Sequence, residues 1–141
     1  SRSLRCRWTL KELGFEYKSI DDRSLLRSDE LKKIHPLGKM PAAVIDGMPL
    51  FESSAICTYI ADKSKDVDLI AKPGTWSRAL HDQWVLFNLT EVEAWLWSTA
   101  VNTFVLSEDE RIPECIPQNA KMFNKGANVL DQYLASQDYF I

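Results

Sequence analysis

The spacing of hydrophobic positions divides the start of the chain into a helical and an extended segment. In residues 3–13 the apolar side chains recur at mixed three- and four-residue spacings, and Gly14 follows as a stop signal, so a helix is predicted. Residues 15–20 then alternate apolar and polar side chains, which is the period of a half-buried strand. The pattern therefore predicts a helix that leads into a strand.

A short helix, a hairpin and a longer helix are predicted next. Ser28 stands where it can cap a helix over residues 29–34, whose acids come first and lysines last, as the helix dipole favours. Asp46 and Gly47 separate two short apolar runs, and this dipeptide indicates a hairpin because a type I′ turn needs positive φ at both positions. Residues 53–63 have the pattern of an amphipathic helix.

The second half of the chain has a helical pattern only. A polar connector over residues 64–75 ends in a Pro-Gly breaker. Aromatic residues at helical spacing then predict a long helix over residues 76–95, and a second helix is predicted over residues 119–137, after a loop at 107–117.

Composition and charge narrow the class of protein. The chain has 141 residues and 45% hydrophobic content, enough for one ordinary domain or two small ones that share a core. It contains no run of about 18 apolar residues and no signal-peptide pattern, which predicts a cytoplasmic protein without a membrane span. Residues 1–39 carry a formal charge of +4 and the remainder −7. Without a dense basic patch interleaved with aromatics, nucleic acid is not an expected partner.

Cysteine and histidine usage points away from disulfides and metals. Cys6, Cys57 and Cys115 are odd in number and widely spaced, so the sequence predicts neither a disulfide framework nor a paired-thiol redox motif. His35 and His81 lie far apart without ligand spacing, and no metal site is predicted.

Three stretches together resemble the cytosolic glutathione S-transferases, in particular serine-type bacterial members: the helix RSLRCRWTLKELGFEY, then HPLGKMP, then DGMPLFESSAI. The resemblance implies an α/β plus all-α fold. Residues 1–63 would form a thioredoxin-like glutathione-binding domain with a mixed sheet, residues 64–75 a linker, and residues 76–141 a helical bundle. Both domains are expected to be incomplete, since the chain opens at the first helix and stops before the family's terminal helices.

The resemblance also implies a glutathione site. Met40 would lend its backbone to the cysteinyl segment of the tripeptide, before a cis Pro41, and Lys39 would reach the glycine carboxylate. Glu52 and Ser53 stand where a strand meets a helix, so free N–H groups and the helix dipole suit the α-carboxylate of the γ-glutamyl end, and Glu52 suits its ammonium. Outside this motif, Ser53 would be a plain N-cap and Lys39 a solvated side chain.

Catalysis in the resembled family needs a hydroxyl or thiol near the start of the first helix, which donates a hydrogen bond to the glutathione sulfur and favours the thiolate. The candidates are Ser1 and Ser3, although Ser3 can instead cap the helix and the activating group can precede residue 1. Cys6 falls inside the helix and is expected to be a buried structural thiol.

The implied function is transfer of glutathione, as thiolate, to small hydrophobic electrophiles, by a protein that the resemblance implies is a homodimer. A non-catalytic module of the same fold, used for dimerisation or docking, is the alternative. A thiol oxidoreductase is disfavoured because no cysteine stands at Ser1 or Ser3. Four aromatic residues are predicted either to line an electrophile pocket or to form core: Trp84, Trp95, Trp97 and Phe104.

Overall fold

The computed structural model describes residues 2–141 and divides into two compact units, Ser1–Lys72 and Pro73–Ile141. The first unit begins with helix α1, Ser3–Glu12, as the hydrophobic spacing predicts. Gly14 follows at φ 67°, and its N–H donates to the carbonyl oxygen of Lys11 at 3.1 Å. A left-handed glycine that satisfies a terminal carbonyl in this way is a common end for a helix.

The strand predicted over residues 15–20 is wrong. This segment is exposed and has no strand partner within the described residues, although Arg7 donates a hydrogen bond to Ser19 Oγ at 2.7 Å. Alternation of apolar and polar side chains indicates only which face of a strand each side chain would occupy. A strand also needs a neighbour for its backbone N–H and C=O groups, and none lies beside this segment in the part of the chain described.

The other predicted elements of the first unit are confirmed. A single 3₁₀ turn, Arg23–Leu25, precedes helix α2, Asp29–Lys32. Ser28 caps α2, because its Oγ accepts a hydrogen bond from the N–H of Leu31 at 3.1 Å. This capped turn leads toward the hairpin.

Strand β1, Ala42–Ile45, pairs antiparallel with strand β2, Met48–Phe51. The turn between them has Asp46 at φ 52° and Gly47 at φ 80°, as the Asp-Gly signal predicts. Helix α3, Ser53–Lys63, follows β2 at once.

The core of the first unit lies between α1 and α3. Buried side chains of the two helices meet there because each helix carries its apolar residues on one face. The buried members are Leu13, Ile60 and Ala61, and the half-buried side chains that pack against them are Leu10, Ile45 and Ile70.

The second unit begins with a long helical run. Helix α4, Trp76–Phe87, is capped by Thr75, whose hydroxyl oxygen accepts from the N–H of Arg78 at 3.2 Å. The run continues as a π-helical segment, Asn88–Glu93, then helix α5, Ala94–Ala100, and a second π-helical segment, Val101–Val105. The predicted helix is therefore present, and it extends past residue 95.

Helix α6, Cys115–Leu134, begins four residues earlier than predicted, after a 3₁₀ turn at Glu108–Glu110. The sequence pattern places Pro117 in the loop, yet this residue lies in the first turn of α6. A proline is tolerated there, because first-turn N–H groups have no partner inside the helix. Asn119 is buried and donates to Ser98 Oγ at 2.9 Å, which ties α6 to α5.

The aromatic residues of this unit divide between core and surface. Trp84 is part of an aromatic cluster, with ring centroids at 4.4 Å from Tyr133 and 4.9 Å from Phe140. Trp97 is 39% exposed and Phe104 is 71% exposed. Trp84 therefore packs in the core, whereas Trp97 and Phe104 lie at the surface.

Candidate functional site

The register of the hairpin brings two of the predicted binding stretches side by side. Ala42 of β1 pairs with Phe51 of β2. In an antiparallel pair, the residue before the first partner and the residue after the second leave at the same end. Pro41 and Glu52 therefore stand next to each other, although 11 positions separate them in the sequence.

Glu52 has an unusual backbone conformation at the start of α3. Its φ is 70° and its ψ 115°, and its side chain does not cap the helix. A positive φ is rare for a residue other than glycine and costs about 1–3 kcal/mol where the surrounding structure enforces it, which occurs most often at ligand sites. Because the first N–H groups of a helix lack internal partners, the start of α3 can bind an anion.

Ser53, the first residue of α3, is 4% exposed. Arg5 of α1 donates a hydrogen bond to its Oγ at 3.4 Å. A hydroxyl oxygen that accepts this bond keeps its own proton for donation. The start of α3 therefore combines backbone donors, a hydroxyl and a nearby guanidinium.

The segment before β1 contains the cis Met40-Pro41 bond that the resemblance implies. The chain on either side of α2 contains two residues with positive φ, Arg27 at 65° and Gly38 at 58°. The N–H of Arg27 donates to the carbonyl oxygen of Gly38 at 2.9 Å, which joins these two positions. Lys39 follows with an exposed side chain, where a charged ligand group can reach it.

A buried histidine connects this segment to the hairpin. The ring of His35 lies 4.8 Å from that of Phe51, and its Nδ1 accepts the N–H of Leu37 at 3.2 Å. The sequence predicts no metal site at His35 and places this residue at the start of the HPLGKMP motif. In the structure it supports the turn that leads to Met40.

Of the two catalytic candidates, Ser1 and Ser3, the structure describes Ser3. Ser1 lies outside the described residues. Ser3 is the first residue of α1, and the N-cap position belongs to Arg2, so Ser3 does not stand in the capping position. Arg5, two residues further on, contacts Ser53, so the start of α1 lies beside the start of α3.

Comparison with known proteins identifies the family. The family model described as the N-terminal domain of glutathione S-transferase matches residues 1–62. A probable glutathione S-transferase of rice (Oryza sativa subsp. japonica), GSTF1, is 31% identical over 95% of this chain and 60% of the rice protein. Residues 1–62 of this chain are a glutathione S-transferase N-terminal domain. A probable maleylacetoacetate isomerase of Caenorhabditis elegans is 37% identical over 48% of this chain and 34% of the worm protein.

Solved glutathione transferases share the fold. The glutathione transferase URE2P6 from Phanerochaete chrysosporium, in complex with oxidised glutathione, superposes with a TM-score of 0.84 at 24% identity, over 99% of this chain and 66% of that one. Glutathione transferase F2 from Populus trichocarpa gives a TM-score of 0.81 at 24% identity, over 99% and 69%. The expected fold class, a thioredoxin-like domain followed by a helical one, is confirmed, but the sheet of the described residues has two antiparallel strands rather than the mixed sheet that was expected.

The chain spans about a third to three fifths of the length of the curated relatives just described. Within residues 2–141, no helix is long and apolar enough to cross a membrane. The same residues contain no cluster of three or more His, Cys, Asp or Glu side chains placed to hold a metal ion.

Two cysteines that are distant in the sequence lie close together in the structure. Cys6 of α1 is buried, as expected, but its Sγ lies 3.9 Å from Sγ of Cys57 on α3. All three cysteines are free thiols, and Cys6 and Cys57 meet because the packing of α1 on α3 folds back the 51 positions of sequence between them. The sequence feature that could have indicated this contact is the position of each cysteine on the apolar face of a predicted helix.

The two thiols have opposite electrostatic surroundings. The pKa of Cys57 is lowered to about 6, chiefly by a hydrogen bond with the Cys6 thiol. Partial burial opposes this shift, whereas Thr9 and the charge of Arg5 add to it. The pKa of Cys6 is raised by the same hydrogen bond and by burial. These surroundings favour the thiolate on Cys57 and the proton on Cys6.

Alkylation of Cys57 by iodoacetamide should rise with pH through a midpoint near 6, because only the thiolate reacts. The rate can be followed by mass spectrometry of the Cys57 peptide. Replacing the hydrogen-bond donor in Cys6→Ala should move the midpoint to higher pH. A midpoint that stays near an ordinary thiol pKa of about 8.5 in the unaltered chain would contradict the assignment.

Proposed function

We propose that this chain binds glutathione and activates its sulfur as a thiolate for attack on small hydrophobic electrophiles, as part of a glutathione S-transferase enzyme. The observation that supports this most directly is the start of α3. Glu52 with its positive φ, the buried Ser53 and the N–H groups of the first helical turn are neighbours there. Such a spot suits an amino-acid head group.

The ligand would lie along the end of the hairpin. Its γ-glutamyl α-carboxylate would accept hydrogen bonds from the Ser53 N–H and hydroxyl, and its ammonium would face the Glu52 carboxylate. The cysteinyl segment would pair with the backbone of Met40, as an added strand pairs with a sheet edge. An extended tripeptide spans about 10 Å, which lets its glycine carboxylate approach the flexible side chain of Lys39.

Sulfur activation would come from the start of α1. Ser3 or Ser1 would donate a hydrogen bond to the sulfur, which favours the charged form and lowers the pKa of the thiol. The positive charge of Arg5 acts in the same direction, since Arg5 already lies beside Ser53. The thiolate would form the new bond to an electrophilic carbon as the leaving group departs with its electron pair.

We further propose a cytoplasmic homodimer with domain boundaries at residues 1–63 and 76–141 and a linker over 64–75. The hairpin supports the dimer, because three of its apolar side chains are exposed: Val44, Met48 and Phe51. An exposed apolar strip of this kind is typical of an interaction surface.

Calorimetric titration with glutathione tests the binding site. Ser53→Ala removes one donor to a charged carboxylate, which is worth about 1.5–3 kcal/mol, so the affinity should fall about tenfold or more. Ser54→Ala is the matched control, since it makes the same change one position further along α3 and should leave the affinity unchanged. Equal affinity in Ser53→Ala and the unaltered chain would remove Ser53 from the site.

An ultraviolet difference titration of bound glutathione against pH tests activation. Thiolate absorbance should appear below the ordinary pKa range of a thiol and disappear in Ser1→Ala or Ser3→Ala. Binding without thiolate at neutral pH would instead support the non-catalytic module. Thiolate that survives in both variants would assign activation to another group.

A further inference from the structure

We propose that Cys6 and Cys57 form a reactive dithiol that low-molecular-weight disulfides oxidise to an intramolecular Cys6–Cys57 disulfide. The inference rests on the packing of α1 against α3, which places the two sulfur atoms 3.9 Å apart. It does not depend on the proposed glutathione site.

The distance permits a covalent bond after a small movement. A disulfide has an S–S length of about 2.05 Å, so the two Sγ atoms must approach by about 1.9 Å. Rotation about the Cα–Cβ bonds and a slight shift of the helices are the available movements. Both helices belong to the same compact unit, so the pair does not need a domain rearrangement to meet.

The burial of the two thiols sets the order of attack. Cys57 is half-buried and can be reached from solvent, whereas Cys6 is 8% exposed. The Cys57 thiolate would therefore attack one sulfur of the external disulfide. A Cys57–S bond forms, the external S–S bond breaks, and the departing thiolate takes up a proton.

The second step uses the buried thiol. Cys6 loses its proton to solvent or to the departing thiolate and attacks Sγ of Cys57, which forms the internal disulfide and releases the second external thiol. The protein loses two electrons and the Cys6 proton, and the external disulfide takes these up with one proton from solvent to become two thiols. Once Cys57 Sγ is bonded to the external sulfur, the Cys6 S–H can donate instead to the Ser53 carbonyl oxygen, which lies 3.8 Å from Cys6 Sγ.

Charge near the pair favours the first step. The hydrogen bond with Cys6 and, to a smaller extent, the charge of Arg5 stabilise the Cys57 thiolate, whose pKa is lowered to about 6. A thiolate that predominates at neutral pH attacks disulfides without prior deprotonation. Cys115 supplies an internal comparison, because it lies on α6 in the other unit, next to the amide of Asn119 rather than a second thiol.

The test treats the full chain with hydroxyethyl disulfide, which carries no glutathione determinant. Free thiols are then alkylated, and the digest is examined by mass spectrometry without reduction. The expected result is a loss of two hydrogen atoms from the protein and a linked pair of peptides containing Cys6 and Cys57. Cys6→Ser should stop the reaction at a mixed disulfide on Cys57, and Cys57→Ser should leave Cys6 reduced.

Cys115→Ser is the matched control and should form the Cys6–Cys57 link as fast as the unaltered chain. The linked peptide from the unaltered chain decides the question even if a Cys6 variant folds poorly. The proposal is overturned if both cysteines stay free, or if a mixed disulfide on Cys57 persists in the unaltered chain without resolving. Reaction confined to Cys115 would overturn it as well.

Discussion

Replacing Gly126 by alanine should strongly destabilise the helical unit, although the same change in most helices is stabilising. Alanine is favoured over glycine by about 1 kcal/mol in a helix interior. Gly126 of α6 is buried, and a Cβ atom there would lie 2.4 Å from the carbonyl oxygen and 3.0 Å from the carbonyl carbon of Glu91. The steric clash of the added Cβ atom therefore opposes the stabilisation expected from the higher helix propensity of alanine.

The steric term should be larger because the obstacle is backbone. Overpacking costs about 1–3 kcal/mol when side chains can move aside, and more when they cannot. Glu91 lies within the π-helical segment Asn88–Glu93, so its carbonyl cannot rotate away without disrupting that turn. We expect a net loss of about 2 kcal/mol or more from the free energy of unfolding.

Urea unfolding followed by tryptophan fluorescence measures this loss, because four of the five tryptophans lie in the helical unit. Asn128→Ala is the control, since Asn128 is exposed on the same helix and should keep or slightly raise the stability. A Gly126→Ala midpoint at or above that of the unaltered chain would mean that α6 does not approach residue 91 this closely.

Local chemistry explains which parts of the fold the sequence predicts. The Ser28 cap, the Asp46-Gly47 turn and the bounds of α3 depend on residues within a few positions of each other, and the structure confirms all three. The strand over residues 15–20 depends on a partner elsewhere, and alternation carries no information about that partner. The π-helical segments escape prediction because a wider turn barely changes the spacing of apolar residues.

The candidate site divides in the same way. Its members around Glu52 and Pro41 can be named from a short motif, and the hairpin register then explains why they are neighbours. The Cys6–Cys57 pair and the close approach at Gly126 depend on how two helix faces meet. Periodicity identifies those faces but not the residues that touch across them.

Replacing Gly38 by alanine should weaken both folding and glutathione binding. Gly38 has φ 58°, and a Cβ atom there would lie 2.6 Å from Cα and 3.0 Å from the backbone N of Arg27. Arg27 cannot withdraw freely, because its N–H donates to the carbonyl oxygen of Gly38 at 2.9 Å. The turn must therefore open, and Met40, two residues further on, moves with it.

Gly14→Ala separates backbone strain from steric clash. Gly14 has a similar φ of 67°, but a Cβ atom there would meet nothing within 4 Å, so only the left-handed penalty of about 1–2 kcal/mol applies. Gly38→Ala should lose more stability than Gly14→Ala in urea unfolding, and it alone should weaken glutathione binding in calorimetry. Equal binding by both variants would show that Met40 and Lys39 do not take part in the site, whereas equal stability would show that the Arg27 backbone yields to the added methyl group.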